Sequence, residues 1–293
     1  MKKEFAIHVG GGLANKMFHL AFGISLKCQG KQVVYDDFSF IPEFEHDKIT
    51  VSDIFHDLGL DRMPIGMYHY GAAEGVKGKI LRRLPFVTGE KYYITHDMGY
   101  DEKLMNSLKT PGYVIGPFQS EKYFADFKTG IIGAFSFQDF KDDKNQFFAL
   151  KIKSEEAVAI HVRKGDGYAT WKEFIGTCPV EYYQEAVRLL KSKKGNLKYY
   201  VFTDSPEWVK ANFQWLDYTI VDWNPCVGYG NHFDMQLMSL CKHNIIANST
   251  YSWWGAWLNN NPDKIVVAPK DWFNLNSRVK QQSEIVPESW IKI

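Results

Sequence analysis

The sequence has little net charge and few cysteines, and both shortages exclude classes of protein. The 293 residues carry a formal net charge of +1. No overall field therefore selects nucleic acid or an anionic membrane, and any anion site must be local. The four cysteines are scattered without a Cys-x-x-Cys pair, so neither a zinc site nor a disulfide framework is indicated. We expect no nucleic-acid partner and a reducing compartment.

Long apolar runs are also missing. No uninterrupted apolar stretch could span a bilayer, and the run at 5–9 is too brief for the core of a signal peptide. We therefore expect a cytoplasmic protein. The triplet Asn248-Ser249-Thr250 spells a glycosylation acceptor, but without a secretory signal we interpret it as accidental. A basic cluster at 77–83 could contact a membrane, but a solvated surface is the simpler interpretation and we assign it no role.

The length and the order of patterns predict two domains. A chain of this size can bury two cores, and aromatic residues, at 16%, suit core packing first. Apolar strands alternate with polar turns and amphipathic helices, as at 197–202 and 179–190. This alternation is typical of a doubly wound α/β sheet. We place the domains at 1–153 and 154–293.

A glycine turn follows the first strand. The run at 5–9 leads through Gly11 and Gly12 into a helix that we predict at 16–28. Such a turn directs backbone N–H groups and a helix N-terminus toward a phosphate or sugar. A dinucleotide fingerprint needs a third glycine where Asn15 stands, although Asp36 lies near the place of a ribose carboxylate. A nicotinamide-dependent oxidoreductase and a turn without ligand both stay open here.

The most informative stretch is 157–166, an apolar strand that ends in polar groups. His161, Arg163, Lys164 and a glycine come directly after the buried run. In open α/β sheets, ligands bind at the carboxyl ends of the strands. Two cations beside a glycine favour an anion such as phosphate. The alternative is a solvated basic turn.

Three polar turns are predicted at strand carboxyl ends of one sheet, at 161–166, 203–205 and 248–252. Arg163 can supply the charge for a phosphate, and Asp234 could pair with the ring nitrogens of a base. The hydroxyl and N–H groups that can bind phosphate oxygens belong to Ser249, Thr250 and Ser252. Their convergence favours an anion or nucleotide site.

Several motifs resemble the bacterial α1,2-fucosyltransferases of glycosyltransferase family eleven. They are Gly-Gly-Leu-Ala-Asn-Lys-Met at 11–17, His-Val-Arg-Lys-Gly-Asp at 161–166, Phe-Thr-Asp at 202–204, the long run at 234–258 and Val-Ala-Pro-Lys-Asp-Trp-Phe at 267–273. Together they extend over nearly the full chain, and the long run is highly specific.

The resemblance implies a GT-B fold with two Rossmann-like domains facing across a cleft, and we expect the C-terminal segment to pack back on the first domain. It implies inverting, metal-independent transfer of L-fucose from GDP-β-L-fucose to O2 of a terminal β-galactoside, as in bacterial surface polysaccharide and O-antigen synthesis. No cofactor is implied. No Asp-x-Asp pair for a nucleotide-bound metal occurs. The expected partners are GDP-fucose and a galactose-terminated oligosaccharide, with peripheral membrane contact through a lipid-linked acceptor.

The resemblance also implies residue roles. His161 and Asp234 would contact guanine, and Arg163 the β-phosphate. The other donor-binding residues that we predict are Lys164, Asp204, Asn248, Ser249, Thr250, Ser252, Gly11 and Gly12. The predicted catalytic residues are Arg163, Asp166 and Asn15, which would approach the cleft from the first domain.

Two questions stay open at this stage. Asp166 could be the general base or could hold Arg163 in place, and Glu173 is the other candidate base. Lys164 stands where the family has a second arginine, and Lys16 where it has glutamine. The alternatives to an α1,2-fucosyltransferase are another linkage (α1,6 or α1,3), the oxidoreductase, and a non-catalytic nucleotide-binding or glycan-binding module.

Overall fold

Two parallel β-sheets, each in its own unit, organise the chain. A computed structural model describes residues 3–36, 54–56, 58–64, 67, 90–165, 175–274 and 284–293. The units are Met1–Ser136 and Phe137–Ile293. This division lies before the boundary that we predicted after residue 153, because the helix at Asp143–Ser154 packs on the helix at Phe233–Leu240 of the second unit.

The first unit has a sheet in the order β2-β1-β4-β3, with every pair parallel. Its strands are β1 (Phe5–His8), β2 (Val33–Asp36), β3 (Tyr92–Ile94) and β4 (Tyr113–Ile115). Its α-helices are α1 (Leu13–Cys28), α2 (Glu102–Ser107) and α3 (Lys128–Ala134), with 3-10 turns at Glu121–Tyr123 and Ala125–Phe127. These bounds apply to the described residues.

Helix α1 is the element that follows the glycine turn. It begins at Leu13, earlier than predicted, because Gly12 takes an extended conformation and caps it. Gly23 lets the helix approach the sheet closely, since a Cβ at that position would lie 2.4 Å from the ring of Tyr35. Phe22 stacks on Phe118 with 4.0 Å between ring centroids. The turn before α1 is thus held at the carboxyl end of β1.

The second unit has a sheet in the order β10-β9-β8-β5-β6-β7, again with every pair parallel. Its strands are β5 (Ala157–Val162), β6 (Lys198–Thr203), β7 (Thr219–Val221), β8 (His243–Ile245), β9 (Val266–Ala268) and β10 (Ile291–Lys292). Its described helices are α4 (Asp143–Ser154), α5 (Val180–Lys193), α6 (Pro206–Asn212), α7 (Phe233–Leu240) and α8 (Thr250–Trp257).

Helices cover both faces of the second sheet. Val158 and Ile160 belong to a core with α5 and α6, whereas Tyr200 packs edge-on against Phe148 of α4. Side chains alternate along a strand, so successive residues point to opposite faces of the sheet. One face therefore packs on α5 and α6, and the other packs on α4. The predicted doubly wound α/β fold of GT-B type, with two Rossmann-like units, is confirmed. The predicted cleft stays a prediction.

Two further features of the second unit matter for the site. Strand β5 lies between β6 and β8, so the strand order reverses between β5 and β8, where open α/β sheets bind ligands. The packing of the C-terminal segment on the first unit stays a prediction, and residues 284–293 themselves lie in the second unit. There β10 extends the sheet, and Trp253 Nε1 donates to the Ile285 carbonyl at 2.7 Å. Within the described part of the chain, no helix is both long and apolar enough to cross a membrane.

Candidate active site

Strand β5 carries His161 to the reversal point of the sheet. The ring is buried and lies 5.8 Å from the Tyr251 ring of α8, centroid to centroid. Burial, followed by the nearby charge of Arg163, lowers the pKa of His161 to about 3, so the ring is neutral. Its Nδ1 is buried without a hydrogen-bond partner among the described residues. Buried ring nitrogens without a partner are uncommon in folded proteins, so this atom marks the surroundings of His161 as a candidate site.

Arg163 is held by Asp204, which follows β6. Arg163 Nε lies 3.0 Å from Asp204 Oδ2, and Asp204 Oδ1 accepts the backbone N–H of Lys164 at 2.9 Å. A Cβ at Gly165 would lie 2.6 Å from Asp204 Oδ2, so this glycine allows the carboxylate to approach the loop. The pair is partly exposed, with 33% and 18% of the two side chains accessible. A cation is thus fixed at the carboxyl end of β5.

Asp234 lies in the first turn of α7. Its Oδ1 accepts the side-chain N–H of Asn224 at 2.7 Å, and burial raises its pKa to about 7. Tyr251 joins α7 to α8, because its hydroxyl donates to the Asn231 carbonyl and accepts the Met235 N–H at 3.0 Å. Burial and then Asp234 raise the pKa of Tyr251, and Arg163 opposes them. The charges of Asp234 and Arg163 therefore both act on the Tyr251 hydroxyl.

Two predicted donor residues lie toward α5 instead. Lys164 Nζ donates to Thr177 Oγ1 at 2.9 Å and to the Cys178 carbonyl at 2.7 Å. Asn248 Nδ2 donates to the Ile175 carbonyl at 2.8 Å. Both side chains therefore brace the segment before α5. A cavity of about 420 Å³ opens beside Cys178 and Asn248 on this side of the sheet.

The predicted polar turn at 248–252 is in fact the start of α8. Ser249 is the N-cap residue, and its backbone N–H bonds to the Ala247 carbonyl at 2.8 Å. Thr250 is the first helical residue, so both residues lie where a helix N-terminus offers N–H groups to an anion. Ser252 is fully buried and its hydroxyl donates to the Ser249 carbonyl at 3.3 Å. The structure does not bring the Ser252 hydroxyl to the edge of the sheet.

In the first unit, the glycine turn has the geometry that its sequence suggests. Gly11 has a φ of +77°, and Gly12 caps α1. Asn15 Oδ1 accepts the side-chain N–H of Gln119 at 3.2 Å. Asp36, the candidate ribose ligand, is buried and accepts the hydroxyl proton of Tyr113. The oxidoreductase alternative therefore lacks an accessible ribose carboxylate at this position.

Some of the predicted features lie in parts of the chain that the structure does not describe. Asp166, Glu173 and the basic cluster at 77–83 lie outside the described residues. Within those residues, no group of three or more His, Cys, Asp and Glu side chains could hold a metal ion. Sequence reasoning gave no role to Tyr251 or Asn224. Tyr251 lies inside the long family motif, whereas Asn224 lies in an irregular stretch that carries no recognisable signal.

The site therefore combines a fixed cation, a buried carboxylate, a neutral histidine and a helix N-terminus at one edge of a parallel sheet. A model of the family described as "Glycosyl transferase family 11" matches residues 86–293, more than half of the chain. The chain belongs to glycosyl transferase family 11. It is accordingly a glycosyltransferase.

Two curated relatives of this family 11 glycosyltransferase come from Escherichia coli. An α-1,2-colitosyltransferase is 34% identical over 297 residues and covers 97% of each chain. The O-antigen biosynthesis glycosyltransferase WbnK is 29% identical over 320 residues, covering 97% of this chain and 99% of its own.

Among solved structures, a mutant of Arabidopsis thaliana FUT1 in complex with GDP is similar to this family 11 enzyme with a TM-score of 0.50 and 13% identity. The match covers 91% of this chain and 70% of that one. At this identity the likeness concerns the fold alone.

Proposed function

We propose that this chain transfers L-fucose from GDP-β-L-fucose to O2 of a terminal β-galactoside during O-antigen synthesis, with inversion and without a metal. The observation that carries the proposal is the Arg163–Asp204 pair at the carboxyl end of β5, beside His161 and near Asp234. A fixed cation suits a departing diphosphate. The family membership and the O-antigen role of one relative agree with it.

In this proposal the donor lies along the carboxyl edge of the second sheet. Asp234 and His161 receive the guanine, whose N–H groups need acceptors, and Arg163 binds the β-phosphate. Ser249 and Thr250 add the N-terminal end of α8. A GDP complex of a protein with a similar fold agrees with this class of donor. Lys164 and Asn248 act indirectly by bracing residues 175–178.

The reaction is a substitution at the anomeric carbon. The acceptor oxygen forms a bond to this carbon as the bond to the β-phosphate oxygen breaks, and the acceptor proton passes to a base. Negative charge grows on the leaving GDP, so Arg163 stabilises the transition state more than the ground state. Because Asp204 already holds Arg163, Asp166 is not needed for that task, and we propose it as the base with Glu173 as the second candidate. Asn15 would act on the acceptor side.

A second donor is favoured by one comparison. The relative at 34% identity is a colitosyltransferase, and colitose is L-fucose without its 3-hydroxyl. A site that hydrogen-bonds this hydroxyl rejects the deoxy sugar strongly, whereas a site that only encloses it discriminates weakly. Comparing GDP-fucose with GDP-colitose as donors therefore decides between the two activities.

The test of the proposal follows GDP release from GDP-fucose with and without a β-galactoside, in EDTA, and then determines the linkage of the product. We expect acceptor-dependent release and an α1,2 product. An α1,3 or α1,6 product would reassign the linkage, and GDP binding without turnover would identify a binding module. Loss of release in EDTA would refute metal independence. The predicted cytoplasmic location and membrane contact stay predictions.

A further inference from the structure

Behind Asp234 lies a chain of side-chain amides that fixes the direction of every hydrogen bond in it. Asn224 Nδ2 donates to Asp234 Oδ1 at 2.7 Å, and Asn145 Nδ2 donates to Asn224 Oδ1 at 2.8 Å. Asn145 is buried in the first turn of α4, and Asn224 lies between β7 and α7. The relay, Asn145 and Asn224, thus connects α4 to the carboxylate on α7.

The two ends of this relay determine its orientation. Trp223 Nε1 is a donor only and bonds to Asn145 Oδ1 at 3.0 Å. The Asp142 carboxylate accepts from Asn145 Nδ2 at 3.0 Å. If the Asn145 amide were flipped, its N–H groups would face the Trp223 N–H and its oxygen would face the Asp142 carboxylate. The amide of Asn145 therefore has one possible orientation. Because Asn145 Nδ2 donates to Asn224 Oδ1, the amide of Asn224 is oriented as well, and it presents its N–H to Asp234.

The consequence concerns the second oxygen of Asp234. One carboxylate oxygen is tied to Asn224, which fixes the plane of the group, while a carboxylate can accept about four hydrogen bonds in all. The remaining lone pairs suit two neighbouring N–H donors. Guanine offers such a pair in its ring N1–H and its exocyclic amino group. Hypoxanthine offers only the ring N–H, and adenine presents an acceptor at N1.

We propose that Asn145 and Asn224 are positioning residues that aim the Asp234 carboxylate at the N–H edge of the nucleobase and thereby set the preference for guanine. This inference rests on the proposed function, in which Asp234 contacts the base. Among the described residues, the hydrogen bonds of the relay go to Asp234, Asp142 and Trp223, and not to Arg163 or α8, so we expect its removal to affect the choice of base and not the chemical step.

The experiment measures binding of GDP and of IDP, which lacks the exocyclic amino group, by isothermal titration calorimetry. For the unmodified chain we expect GDP to bind about 10-fold tighter than IDP, as for one hydrogen bond to a charged group. Asn224→Ala should lower this preference to about 3-fold or less. Trp223→Phe keeps an aromatic ring, although a smaller one, and removes the N–H that orients Asn145, so it should lower the preference less. With saturating GDP-fucose, kcat should stay unchanged in both variants.

Asn212→Ala is the matched control, because Asn212 also donates from Nδ2 to an oxygen, the Trp208 carbonyl at 2.8 Å, but lies on α6. It should leave the preference unchanged. An unchanged preference in Trp223→Phe and Asn224→Ala, with the preference abolished in Asp234→Ala, would overturn the relay and leave the proposed function standing. An unchanged preference in Asp234→Ala would refute the base contact itself. If Asn224→Ala does not fold, Trp223→Phe decides alone.

Discussion

At the scale of single residues, two aspartates of the second unit have opposite surroundings. Asp204 faces the guanidinium of Arg163, with 3.0 Å between Asp204 Oδ2 and Arg163 Nε. Asp234 receives only a neutral amide N–H, and burial raises its pKa to about 7. Asp204 therefore serves as the partner of a cation, whereas Asp234 gains or loses a proton near neutral pH.

Replacing Arg163 with alanine should lower kcat by at least about 10²-fold, the usual effect of removing one group that stabilises a developing anion. KM for the donor should change less, because the charge on GDP grows toward the transition state. Steady-state kinetics with GDP-fucose measures both parameters. Arg188→Ala is the control, since Arg188 pairs with Glu185 on the surface of α5. Near-normal turnover of Arg163→Ala would contradict the proposed mechanism.

Binding of GDP should be accompanied by proton release near pH 7. The guanine N–H groups stabilise the carboxylate form of Asp234, so binding lowers a pKa that burial has raised to about 7. Affinity should therefore increase as the pH rises through this value. Calorimetry in two buffers of different ionisation enthalpy measures the released fraction. Asp234→Asn should release no proton at this step; equal proton release in the variant would exclude Asp234 as the source.

At the scale of elements, close packing of a helix on a strand depends on a glycine. A Cβ at Gly23 of α1 would meet the buried ring of Tyr35 at 2.4 Å. A Cβ at Gly130 of α3 would meet no heavy atom within 4 Å among the described residues. Both glycines thus lie in helices, but in the described part of the chain only Gly23 has a close neighbour on the side where a Cβ would be.

Gly23→Ala should lower the free energy of unfolding by about 1–3 kcal/mol, as overpacking does. Gly130→Ala should raise it by up to about 1 kcal/mol, because alanine favours the helix. Urea unfolding of both variants, followed by far-UV circular dichroism, tests the pair. If both substitutions destabilised the protein equally, the contact between Gly23 and Tyr35 would not be the cause.

These local contacts also explain how far the sequence could predict the site. A continuous apolar run and the turn residues after it correctly predicted β5 and the polar groups at its end, since both depend on local pattern. The start of α8 was missed because Thr250 and Tyr251 look like turn residues until α7 packs beside them. Asn224 was unpredictable because its role comes from Asn145, far away in sequence. Pairings of this kind are tertiary and leave no local signal.

At the scale of the whole molecule, both units bury neutral histidines. Burial lowers the pKa of His8 to about 4 and of His19 to about 3 in the first unit. It lowers that of His161 to about 3 and of His232 to about 4 in the second. In an unfolded chain these side chains take up a proton near the ordinary histidine pKa of 6.5. Between pH 6.5 and about 4, the unfolded state therefore binds more protons than the folded state.

The free energy of unfolding should fall as the pH is lowered through this window, by at least about 2 kcal/mol between pH 6.5 and pH 5, the effect of one such histidine. Asp234 acts in the opposite direction, because its raised pKa makes the folded state take up a proton as the pH falls from about 7. Burial also lowers the pKa of His243, so among the described residues this one aspartate opposes several histidines, and acid destabilises both units.

All nine tryptophans lie in the second unit, which allows the two units to be followed separately. Tryptophan fluorescence during urea unfolding reports on the unit of His161 and His232, and hydrogen exchange of β1 and α1 amides reports on that of His8 and His19. His8→Gln should reduce the pH dependence of exchange in the first unit and leave the fluorescence transition unchanged. Equal stability at pH 5 and pH 7 by both measurements would contradict the burial of neutral histidines.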